Sequence, residues 1–90
     1  MTWHVRWDGG GQARVVSLTS GGISLRSTVP SPPGSRLEGA LDGEPRASLR
    51  IKVHSCKRQP DGEYALEARP LDLTRPVRER LLGLAGGSDG

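Results

Sequence analysis

Three groups of residues in this chain combine side chains and spacing that could do chemistry. The first is Ser17-Leu18-Thr19-Ser20-Gly21-Gly22. Its hydroxyls donate and accept hydrogen bonds, and its paired glycines can take positive φ, so the backbone there folds tightly and lies open to a ligand or partner. Such hydroxyls either hold the polar edge of a ligand or bond the turn's own backbone, and both uses fit these residue types. The second group is Arg46-Ala47-Ser48-Leu49-Arg50, continued by Lys52 and His54. In an extended strand alternate residues share a face, so Arg46, Ser48, Arg50, Lys52 and His54 form a basic stripe opposite Leu49, Ile51 and Val53. That stripe is a solvated strand face, a docking surface for an acidic protein patch, or a nucleic-acid contact. Only Trp3, Trp7 and Tyr64 are aromatic, and this counts against nucleic acid, because single-strand binders rely on aromatic platforms. The third group is Cys56 beside Lys57 and Arg58, neighbours that favour a thiolate. With no resolving cysteine and no Cys-His-acid order, it reads as an inert thiol at a strand end.

The remaining chemical candidates fall away on spacing. His4 and His54 lie far apart, outside any cysteine or carboxylate cluster with ligand spacing, so no metal is expected. Gly9-Gly10-Gly11 lacks the Lys-Ser/Thr of a phosphate loop and reads as a hairpin turn. No set of nucleophile, base and oxyanion donor can be assembled, so the chain is not expected to be an enzyme.

The elements that must position these residues follow from period-two alternation. Trp3, Val5 and Trp7 share one face of a first strand and read as core, with Trp3 the more exposed. Ala13 to Leu18 and Gly22 to Ser27 flank the Gly-Gly turn. Pro30, Pro32 and Pro33 cannot donate to a sheet ladder, so Val29 to Ser35 is expected as an extended loop. Leu37, Gly39 and Leu41 mark a fourth strand ending at Asp42-Gly43. Leu49, Ile51 and Val53 alternate in a long fifth strand, Pro60-Asp61-Gly62 turns it back, and Tyr64, Leu66 and Ala68 make a sixth. The period then changes, because Val77, Leu81, Leu84 and Ala85 recur at helical spacing. Thr74 or Arg75 is the expected cap, and Pro76 suits the first turn. Gly86-Gly87 supplies the stop. Six strands with short connections suit an antiparallel barrel, which closes its own edges. One domain over residues 1–86 with a frayed tail at 87–90 is expected.

Composition fits a small surface-acting module. Ninety residues bury only about 60–65% of their unfolded surface, which leaves little room for an enclosed active site. A single cysteine excludes an internal disulfide and points to a reducing, cytoplasmic setting. No apolar run approaches the roughly 18 residues of a membrane span. The formal charge of +3 rests on 13 Lys and Arg against 10 Asp and Glu. Arginines dominate, and each is a bidentate donor for an acidic partner.

The cadence of strand, hydroxyl-rich Gly-Gly turn, strand and Pro-rich spacer resembles a PilZ domain. That family carries D/N-x-S-x-x-G at the turn, and the matching positions here read Ser17-x-Thr19-x-x-Gly22, with Gly21 giving the Gly-Gly variant. The resemblance implies a six-stranded barrel with a C-terminal helix, from Trp3 to about Leu84. It implies cyclic di-GMP as the family ligand, held by the turn motif and by an R-x-x-x-R before the first strand. Here the first strand starts almost at once and no such motif precedes it. The one R-x-x-x-R, Arg46 to Arg50, follows the turn instead. Lost guanidinium contacts each remove about 1.5–3 kcal/mol, so cyclic di-GMP is expected to bind no better than about millimolar. PilZ-like proteins without the ligand arginines work as adaptors in type IV pilus function, surface motility and cell polarity. The resemblance therefore implies a non-catalytic adaptor acting through a protein partner. A functioning cyclic di-GMP receptor and a nucleic-acid-binding small barrel are the alternatives.

Overall fold

A computed structural model of the chain describes residues 3–43 and 47–85. The strands are β1 (Val5–Trp7), β2 (Gln12–Thr19), β3 (Gly22–Ser27), β4 (Arg36–Leu41), β5 (Ala47–Arg58) and β6 (Tyr64–Leu71), followed by the helix α1 (Arg75–Leu84). Every pairing is antiparallel, and the order β1-β2-β3-β6-β5-β4 closes on itself through β1 and β4. Closure leaves none of the described strands with a free edge to template association.

The alternating apolar residues face inward as their period requires. Val5, Trp7, Val15, Ile23, Leu25, Leu41, Leu49, Ile51, Val53 and Leu66 are all buried in one core. The Trp7 indole would leave an unmet N–H there, and Ser27 meets it: Nε1 donates to the Ser27 hydroxyl at 3.1 Å, while that hydroxyl donates to the Val29 carbonyl. Gly39 makes room for the ring. A Cβ at this position would lie 2.6 Å from the Arg6 carbonyl oxygen and 2.9 Å from Trp7 Cε3. Trp3 precedes β1, is half-buried, and lies against the Arg14 guanidinium 5.5 Å from the ring centroid.

Two bulges break the alternation. In β2 the register shifts between Val15 and Ser17, which leaves Val16 extruded and 51% exposed and brings Leu18 inward opposite Ile23. In β5 it shifts between Val53 and Ser55, so Cys56 turns inward opposite Leu66 and packs against the core. The thiol is part of the barrel filling.

Helix α1 begins at Thr74, whose hydroxyl accepts from the Val77 amide, with Pro76 in the first turn. Its apolar stripe buries Leu81 completely and packs Val77, Leu84 and Ala85 beside it. The helix touches β2 and β5, which lie opposite one another around the barrel. It therefore spans one mouth, with Leu81 as the plug. The expected stop at Gly86-Gly87 and the tail at 87–90 lie outside the described residues.

Candidate functional site

The hydroxyl-rich turn is built from the last residues of β2 and the first of β3. Thr19 pairs with Gly22, and the backbone at Gly22 comes so close to β6 that a Cβ would stand 2.6 Å from the Ala68 carbonyl oxygen. Only glycine fits there. The Thr19 hydroxyl is spent inside the turn, accepting from the Gly21 amide at 3.1 Å and donating weakly to the Gly22 carbonyl at 3.4 Å. Ser17, just after the Val16 bulge, pairs with Ser24 and does not line the depression beside the turn.

That depression is a shallow pocket of about 200 Å³. The turn forms one wall; Leu18, Pro70 and Leu73 give it apolar lining, and Arg69 of β6 and Arg78 of α1 stand at its rim. Binding sites that enclose a small organic ligand usually measure about 300–1,000 Å³, so this one suits a single side chain or a small anion. Sequence spacing could not have placed Arg69 and Arg78 here, because β3–β6 pairing and helix docking bring them to the turn.

The β5 stripe meets a divided fate. Arg50, Lys52 and His54 lie exposed on the outer face of the barrel, while Arg46 lies outside the described residues. Arg50 is engaged, its Nε 3.0 Å from Glu38 and its Nη1 2.8 Å from Asp72. Asp72 reaches it from a left-handed backbone (φ 51°) that aspartate tolerates. Lys52 has no such partner. Its register neighbours are Arg36 on β4 and Arg69 on β6, all three exposed. Among the described residues none of the three makes an ion pair. A row of cations thus crosses three strands where a stripe along one was expected. The carboxylates nearest in register are committed elsewhere, Glu38 to Arg50 and Glu67 to the Ser24 hydroxyl at 2.9–3.0 Å.

His4 serves the scaffold. Its Nδ1 accepts the Val15 amide at 2.9 Å, just before the bulge, and its backbone bonds Ala13 and Asp42. Partial burial, then the positive charge of Arg14, hold its pKa below the usual 6.5, with Asp42 opposing them. Asp61 is held below the usual carboxylate range chiefly by the Glu63 amide, and Arg26 adds to the effect. No group of three potential metal ligands gathers among the described residues, and no helix among them is long and apolar enough to cross a membrane. Compared with protein-family models, curated proteins and solved structures, the chain gives no match.

Proposed function

We propose that this chain is a non-catalytic, PilZ-like bacterial adaptor that works in the cytoplasm through a protein partner, in motility, type IV pilus function or cell polarity, with cyclic di-GMP binding lost or weak. The observation that carries this reading is the unneutralised cation row across β4, β5 and β6, an outward face that offers charge to a macromolecule and encloses nothing. The turn supports it, because the Thr19 hydroxyl is consumed internally and the pocket is small for a dinucleotide. A weak cyclic di-GMP receptor is the second reading. It is favoured by Arg69 and Arg78 beside the turn, two guanidinium groups placed to hold a phosphate.

Calorimetric titration with cyclic di-GMP, paired with capture from the native cell, tests the choice. The expected outcome is no heat of binding below about millimolar nucleotide, together with a stoichiometric protein partner. Micromolar affinity with one or two nucleotides per chain would establish the receptor and sink the adaptor.

A further inference from the structure

Directly opposed like charges on neighbouring strands destabilise a sheet, and Lys52 is opposed on both sides. The chain has ten acidic residues and places none of them at these positions. Beyond Arg69 the same line across the barrel meets the Gly21–Gly22 turn and the pocket rimmed by Arg78. From Arg36 to the turn is three strand spacings of about 4.8 Å, roughly the length of four or five extended residues. Charge changes to apolar character along that line, because the pocket end carries Leu18, Pro70 and Leu73, the last 36% exposed.

We infer that this face docks an extended acidic segment of a protein partner, laid across β4, β5 and β6, with carboxylates on Arg36, Lys52 and Arg69 and an apolar side chain in the pocket under Arg78. The inference rests on the adaptor reading and names the partner's chemistry. Carboxylates would meet a fixed, spaced set of cations whose mutual repulsion they relieve, so the segment gains more here than at a scattered basic surface. A single-stranded nucleic acid would find the cations but no stacking platform beside them, since Trp7 is buried, Trp3 is covered by Arg14, and the half-buried Tyr64 packs against the core and pairs with Arg58, six residues along β5 from Lys52.

The test uses the whole chain and a fluorescent peptide of alternating Glu and Ser ending in Leu, read by polarisation in 0.15 M salt. Controls are the same peptide with Gln for Glu, the same without Leu, and an oligonucleotide of similar charge. Wild type should bind the acidic peptide at least tenfold better than the Gln version, and better with Leu than without. Lys52→Glu and Arg69→Glu should each weaken it at least tenfold while melting no lower than wild type. Lys57→Glu, the same charge change on β5 beyond the bulge, should weaken it less than twofold. Equal losses for all three variants would mean net charge alone attracts the peptide, and the surface would be overturned. Tighter binding of the oligonucleotide with the same dependence on Lys52 and Arg69 would overturn it in favour of nucleic acid. A wild type that ignores the peptide would also overturn it, while the adaptor reading stands or falls on nucleotide titration and native capture.

Discussion

Among the described residues the barrel faces cation against cation in two places and treats them oppositely. On β2 and β3, Arg14 and Arg26 are direct register partners. Glu63 enters between them, 2.6 Å from Arg14 and 3.6 Å from Arg26, and Asp61 takes Arg26 at 3.3 Å. On β4, β5 and β6, Arg36, Lys52 and Arg69 face one another with no acid among them. The chain neutralises opposed cations where they serve the scaffold: the Arg14–Glu63 pair is mostly covered and also supports Trp3. Cations opposed in register without a shared acid break a local rule of stability, and such breaks concentrate where a protein meets something else.

Removing what holds both regions in place has the largest expected effect. Leu81→Ala empties the plug at the barrel mouth and should cost about 2–5 kcal/mol, a large share of what a small domain possesses. Thermal melting measures it. Any loss of partner binding in this variant should track unfolding, whereas loss in Lys52→Glu should occur in a protein that is fully folded. If both lose binding only by unfolding, the row has no role of its own.

Glu63→Ala moves the neutralised region toward the open one, with Asp61 still on Arg26. It leaves Arg14, with a side chain 22% exposed, and Arg26 opposed without their shared acid, at a cost of about 1–3 kcal/mol. Added salt should recover part of that loss by screening the repulsion. A variant as stable as wild type would show that opposed cations in this barrel do not need a shared acid between them, which would weaken the contrast with the open row.

Lys52→Glu makes the converse change. It converts two repulsive cross-strand pairs into attractive ones, each worth about 0.2–1 kcal/mol, so stability should rise by about 1 kcal/mol. Tm should climb by about 4–8 °C for a domain of this size, less in high salt. A fall in Tm would mean Lys52 already has a stabilising role that its register neighbours do not reveal.

Much of this architecture was legible in the sequence, because it depends on local periods. The six strands, the Gly-Gly turn, the Thr74 cap and the Leu81 stripe all follow from alternation, glycine and helical spacing. The two bulges were not. The adjacent Val15 and Val16 break strict alternation, and so does the inward Cys56 after the inward Val53, but one sequence does not say which residue is extruded. The row was hidden for a different reason. Read along β5, Lys52 belongs with Arg50 and His54; only the registers with β4 and β6 give it Arg36 and Arg69 as neighbours and give Arg50 to Glu38 and Asp72. Arg78 likewise reaches the turn only because Leu81 docks the helix. Fold was carried by local pattern, whereas the candidate site is a product of long-range pairing.

The smallest effect asks how completely Glu63 neutralises Arg14. His4 senses the remainder: after burial, the Arg14 charge is the second cause that holds its pKa below 6.5. The neutral ring is the form that accepts the Val15 amide, so protonation would oppose two donors. Between the depressed folded pKa and the ordinary 6.5 the unfolded chain binds more protons than the folded one. Stability is therefore complete above about pH 6.5 and falls as pH drops toward the folded pKa, then stops changing on account of this group. His4→Asn keeps an acceptor for Val15 and removes the titration, so its melting temperature should lose this component of the acid decline. Arg14→Gln should move the His4 pKa, followed by NMR, upward toward 6.5 without reaching it, because burial remains. If the pKa does not move, Glu63 already cancels Arg14 at His4. The neutralised region would then be electrically silent, and its contrast with the open row would be sharper than the distances alone imply.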